Sequence, residues 1–296
     1  MTSVSVVNNQ KDNRARNFAV GAGAAVIAYE AEPHIRNAVL HPVRGKIASE
    51  IRSIQGGGFK PFVEKAIKQN GLENKLNIID LNANNAEAVK KQLGIANVKF
   101  DAKTKILRHI MRQSKSVDGS FIRTLQGHNA FFSPQQNTVV CNFDKFGAPV
   151  FHEIGHMMNS QSKNVIVQFL RNTRRPLSVY GTVAVSAVAM LTNSKEKREK
   201  PKDIFDKAMN FVKDNCGLVA TAMMLPLTVE EIIASVKGGK IAKKAGLKGD
   251  LLKKVQKAHK ISMASYIATA IATGIGAQLA SKLRDLICVG YKKEAV

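Results

Sequence analysis

"FHEIGHMMNS", residues 151 to 160, sets two histidines four apart with a glutamate directly after the first. On an α-helix, residues i and i+4 share a face, so His152 and His156 can reach one ion while Glu153 points at a water beside it. Metal-assisted hydrolysis requires that arrangement. The competing reading is a surface helix with two solvated histidines. The intervening residues speak against it: Ile154, Gly155, Met157 and Met158 are uncharged, and no proline interrupts the turn. The stretch predicts an apolar helix carrying a His-Glu-His group, with Zn²⁺ as cofactor.

Zinc in a hydrolytic site usually takes three protein ligands and leaves a fourth position for water. Asn159, Ser160 and Ser162 follow the motif, so no third histidine lies close behind it, and the missing ligand must come from a separate helix. Downstream, "LPLTVEEIIAS" (225 to 235) predicts a helix that opens after Pro226 and carries Glu230 and Glu231. Glu231 has a second reading, because Thr228-Val229-Glu230-Glu231 fits a capping box with Thr228 as N-cap and Glu231 three positions on. Ligand and cap both remain open at this point.

The balance of charge names a partner class. Lys and Arg number 45 against 22 Asp and Glu, a formal net charge of +23, which implies an anionic surface, either nucleic acid or a membrane face. Aromatics make up 6% and Trp is absent. No aromatic RNA-binding motif, zinc finger or helix-turn-helix accompanies the charge, so no nucleic acid is expected. Cys141, Cys216 and Cys288 are far apart and odd in number, so no disulfide framework is indicated, and without CxxC spacing no cysteine metal site is expected; Cys141 and Cys216 read as buried thiols.

Three charge-free segments follow the motif: Pro176 to Asn193, Asn215 to Val229 (with Pro226 inside it) and Ile261 to Ser281. A helix needs roughly 17–25 residues to cross the hydrocarbon, a range in which the first and third fall and to which the second is marginal. They could be buried core helices of a soluble protein, since the mean hydropathy of the chain is −0.12. Their many small residues and basic flanks favour helices that pack together in lipid. A shorter apolar stretch, Phe18 to Tyr29, follows Lys11, Arg14 and Arg16 and reads as a retained anchor.

The region between is expected to be soluble and mainly helical, with helical patterning at Pro61 to Asn70 and Ala86 to Leu93. "GGGFKP" (56 to 61) lacks the Lys-Ser/Thr of a phosphate loop and reads as a turn. Asn137 to Phe143 (NTVVCNF) is read as a strand that offers its free edge to an extended peptide.

Asn129-Ala130-Phe131, a short strand, HExxH, two apolar segments and then Glu231-Ile232-Ile233-Ala234-Ser235, in that order, resemble the membrane-integral gluzincin zinc peptidases. That group includes the bacterial heat-shock membrane protease, the prenyl-protein (CAAX) endopeptidases and a set of small bacterial membrane zinc peptidases. The likeness covers about residues 129 to 235, and the His-Glu-Ile-Gly-His form is its most specific part. It implies Glu231 as the third zinc ligand beside His152 and His156, Glu153 as catalytic base, and a protein or peptide substrate. Ser235 stands where the family more often has Asp.

The expected fold is therefore mainly α (α+β): a helical zincin-like core, a short edge strand before the HExxH helix, and two to three transmembrane or membrane-associated helices. Residues 1–43 form a basic segment with a short anchor, 44–126 a mainly helical region, 127–260 the peptidase core with an apolar hairpin at 176–229, and 261–296 a transmembrane helix and basic tail. Glu230, about 100° round the helix from Glu231, is expected outside the metal site. His259 and Arg284 are candidates for the group that stabilises an oxyanion, although His259, in KKVQKAHK, otherwise reads as part of a solvated basic face. The lysines between 237 and 260, opposed by Asp250 alone, predict a lipid bilayer with an anionic leaflet as partner and a site facing the cytoplasm; the basic loop 195–213 opposes that orientation. The alternatives are a basic membrane scaffold without catalysis and a soluble nucleic-acid-binding protein.

Overall fold

The strand expected at Asn137 to Phe143 forms over Thr138–Cys141, and the alternation of its side chains organises the structure around the HExxH helix. The computed structural model describes residues 58–95, 117–195 and 200–290, together with residues 46, 49, 50 and 198. The expected anchor Phe18 to Tyr29 and the side chain of Cys288 lie outside the described residues. The chain divides into two units, one of Leu40–Arg171 and Val229–Ala264, the other of Met1–Val39, Asn172–Thr228 and Ser265–Val296.

In the first unit, α1 (Lys60–Gln69), β1 (Asn77–Asp80), α2 (Ala86–Gln92) and α3 (Val117–Leu125) precede β2 (Phe131–Ser133) and β3 (Thr138–Cys141). A short α4 (Phe143–Phe146) leads into α5 (Val150–Ser160), the HExxH helix. The two helices read at 61–70 and 86–93 are thus present as α1 and α2. Strand β1 is new: Asn77-Ile78-Ile79-Asp80 is too short for its alternation to show in the sequence.

The sheet order is β1-β3-β2, with β1 parallel and β2 antiparallel to β3. This corrects one expectation. Strand β3 is central and buried along its whole length, so it has no free edge; among the described residues the open side on the HExxH arm belongs to β2, which lies against α5. The reason is residue type: Val139 and Cys141 pack into a core with Phe59, Val63, Phe151, Ile154 and Met157, while Val140 turns to a second core with Ile79, Leu81, Val89 and Phe121. A strand apolar on both faces must be covered on both. Val150, Phe151, Ile154 and Met157 are all fully buried, and side chains of this kind stabilise by about 1.5–3 kcal/mol each.

Helix α9 (Cys216–Lys244) supplies the other wall of the first core through Ile241 and Ala242, and α10 (Gly249–Gly290) adds Val255. Helix α9 corrects the reading of Pro226 as a helix start, because it runs straight through that residue. Proline removes one i→i−4 bond but does not stop a helix held by packing. Thr228 is accordingly not an N-cap: its hydroxyl, buried in mid-helix, donates to the Met224 carbonyl at 3.0 Å.

Helix α6 (Val165–Arg175) closes the first stretch of the first unit at Arg171 and continues into the second unit, which is helical: a π-helical turn, Pro176–Gly181, leads into α7 (Thr182–Leu191), and α8 (Ile204–Asp214) precedes α9. The apolar segment 176–193 is therefore divided, whereas 215–229 is extended into α9. Two helices, Cys216–Lys244 and Gly249–Leu286, are long and apolar enough to cross a membrane. They meet at glycines: a Cβ on Gly274 would stand 2.5 Å from the Gly217 carbonyl oxygen. Cys216 is buried beside Val185, Ala189 and Ala220, and Cys141 is buried in the first unit, as expected for both thiols.

Two further glycines bring α5 against the C-terminal half of α9. A Cβ on Gly155 would stand 2.3 Å from the Ala234 carbonyl oxygen, and one on Gly238 would stand 2.7 Å from that of Phe151. Gly239, next to it, has nothing nearer than 3.9 Å. Gly155→Ala and Gly238→Ala should therefore each destabilise the first unit by about 1–3 kcal/mol through overpacking. Gly239→Ala should stabilise by about 0.5–1 kcal/mol through helix propensity alone. Thermal unfolding followed by circular dichroism separates the two outcomes.

Candidate metal centre

The close approach of α5 and α9 places three ligand atoms at one point. His152 Nε2 lies 3.0 Å from His156 Nε2 and 3.2 Å from Glu231 Oε2, and His156 Nε2 lies 3.4 Å from the same oxygen. An ion binding nitrogen and oxygen at about 2.0–2.1 Å in tetrahedral geometry separates its ligands by about 3.3–3.4 Å. The triangle is therefore of the size such an ion needs. His152, His156 and Glu231 form a group that could hold a metal ion.

The outer nitrogens decide which way the lone pairs point. His156 Nδ1 lies 2.9 Å from Glu230 Oε1, and His152 Nδ1 lies 3.0 Å from Ser235 Oγ. An ionised carboxylate only accepts, so His156 carries its proton on Nδ1 and turns the Nε2 lone pair inward. The Ser235 hydroxyl, which can accept as well as donate, allows His152 the same tautomer, with its proton on Nδ1. Two nitrogen lone pairs and a carboxylate oxygen then converge with no hydrogen between them. Such a cluster repels itself unless a cation occupies the centre, and its donor set suits zinc. When no metal is bound, a proton can serve instead: burial pulls the His156 imidazole down, but Glu231 and Glu230 outweigh it and push it up to about 10.

Glu230 overturns the expectation that it lies outside the site. It is 1% exposed, and besides His156 it accepts from Asn159 Nδ2 at 3.0 Å. Asn159 Oδ1 in turn accepts from Lys237 Nζ at 2.6 Å. The 100° offset from Glu231 does not carry Glu230 to solvent; it carries it to the outer side of His156. Spacing holds the signal that could have shown this. Asn159 follows His152 by seven residues and His156 by three, and Lys237 follows Glu230 by seven, so each shares a helix face with the ligands.

His259 is corrected as well. It is 6% exposed, its ring centroid lies 6.1 Å from that of His152, and among the described residues neither of its ring nitrogens has a hydrogen-bond partner within normal geometry. The lysines around it, Lys253, Lys254, Lys257 and Lys260, point elsewhere because they lie about 100–160° round α10 from it. Glu153 is buried on α5 next to His152. Arg284 belongs to the other unit, where its Nη1 donates to Asp285 at 2.8 Å.

No protein-family model matches this chain, and no curated protein or solved structure is detectably similar to it. The site is thus characterised by its own geometry: a buried His-His-Glu group with hydrogen-bonded outer nitrogens. Glu231→Gln should remove an anionic ligand and lower metal occupancy outright, while Glu230→Gln should weaken metal binding about 10–100-fold by disturbing His156. Competition with a chromophoric chelator measures both. Parental affinity in Glu230→Gln would show that the outer contact does not tune the ligand.

Proposed function

We propose that this protein is a zinc-dependent, membrane-integrated endopeptidase. The observation that carries the reading is the convergence of His152 Nε2, His156 Nε2 and Glu231 Oε2 beside a buried glutamate in an HExxH helix. His152, His156 and Glu231 would hold the ion. Zinc bound there supplies Lewis acidity, polarising a carbonyl and making water a stronger acid.

The remaining work falls to the chain. Glu153 takes a proton from the attacking water as its oxygen bonds to the scissile carbon, and delivers that proton to the amine as the C–N bond breaks. His259, buried and without a hydrogen-bond partner among the described residues, is the donor for the negative charge that develops on the carbonyl oxygen. An imidazole buried with both nitrogens unsatisfied is costly, and a role in meeting substrate accounts for that cost. The open edge of β2 beside α5 suits an extended peptide, which strand addition would hold by its backbone.

Helices α9 and α10 support integration in a bilayer, and the lysines from 237 to 260 support a cytoplasmic position for the metal centre. Glu153→Gln should keep stoichiometric zinc and lose hydrolysis of casein in detergent by about 10²–10⁴-fold. His259→Leu should keep zinc and lower kcat by about 10²–10³-fold with little change in KM. Casein cleavage at the parental rate by Glu153→Gln would sink the assignment.

A further inference from the structure

Helix α6 begins five residues after α5 ends and exposes its apolar side. Val165, Ile166 and Phe169 are 77%, 67% and 56% exposed. Val165 and Phe169 lie one above the other on one stripe with Ile166 beside them, while Leu170, about 100° away from Phe169, is the residue that turns into the protein. Three large apolar side chains on so short a helix would be anomalous in water.

Charge indicates what covers them. No acidic residue occurs between Glu153 and Glu196, whereas Lys163, Arg171, Arg174 and Arg175 bracket the apolar patch. The helix then passes without a break into the charge-free segment from Pro176, where Tyr180 and Val183 are also exposed. An apolar face flanked by basic residues, continuous with an apolar segment, matches the layer where lipid headgroups meet acyl chains.

We infer that α6 is an interfacial helix that lies in the plane of an anionic leaflet, with Val165, Ile166 and Phe169 in the upper acyl region and its basic residues among the lipid phosphates. The inference rests on the membrane reading above and adds to it a substrate class. Arg171 Nη1 donates to the Ser160 carbonyl at 2.5 Å and so ties α6 to the last turn of α5. The helix that carries His152 and His156 is thereby held near the bilayer surface, and the peptide bonds within reach are those of chains that emerge from, or lie along, that surface.

The absence of Trp makes the test direct. Phe169→Trp and Ile275→Trp, the second on the exposed side of α10, are each made in the full chain and reconstituted into phosphatidylcholine vesicles with and without phosphatidylglycerol. Part of the lipid carries bromine at a shallow or a deep acyl position. Phe169→Trp should be quenched more by shallow than by deep bromine, and more with phosphatidylglycerol present; Ile275→Trp should show the opposite depth preference. Quenching of Ile275→Trp alone overturns the interfacial helix and leaves the membrane reading standing. Equal deep quenching of both means that α6 crosses the bilayer, which also overturns it. A blue-shifted Phe169→Trp emission that no brominated lipid quenches identifies a protein neighbour instead, and quenching of neither reporter removes both readings.

Discussion

The backbones of α5 and α9 approach as closely as they do because Gly155 and Gly238 present no side chain at their contact, and the metal group is built around that approach. Gly155 sits directly before His156, and Ala234 lies between Glu231 and Ser235. The residues that touch are therefore the immediate neighbours of the residues that would coordinate. With bulkier side chains at the crossing the two helices would stand further apart, near the usual spacing of 8–10 Å between axes. The carboxylate could then no longer reach both imidazoles. A packing constraint, set by two glycines, fixes a chemical one.

The same crossing gathers charge of the sign opposite to the rest of the chain. Glu153, Glu230 and Glu231 are all buried within a protein whose formal net charge is +23. Buried carboxylates are tolerated only when paired and hydrogen-bonded. Here the pairing runs through His156, Asn159 and Lys237 on one side and inward to the ligand triangle on the other. Each imidazole has a defined outer acceptor, so neither ring needs to reorient when a cation enters.

Much of this was legible in the sequence where a short-range pattern carried it. The HExxH spacing, the helices at α1 and α2 and the strand before the motif follow from residue type at fixed offsets, whereas Glu231 is pointed to by the family resemblance, its local pattern fitting a cap equally well. The misreadings share a physical origin, namely local signals overruled by packing. Pro226 and Thr228 resemble a helix start, but the helix around them is held by neighbours that the local sequence does not contain. Glu230 reads as lying outside the site because it is turned about 100° from Glu231, yet both are buried; His259 reads as exposed because the lysines beside it are, although only about 100° of helix rotation separates it from Lys260. The central position of β3 depends on β1, contributed from about 60 residues earlier, and no local pattern announces such a partner.

Strand β2 is paired with β3 on one side only among the described residues. An unpaired strand edge bearing Phe131 and Phe132 is a template on which a second molecule can start a β-ladder, the first step of edge-to-edge aggregation. The chain limits that hazard by brevity and by composition. The strand is three residues long, and Pro134 follows it at once, offering no N–H to extend the ladder. A three-residue edge can hold a peptide that the neighbouring metal centre also engages, but it is too short to keep a growing aggregate in register.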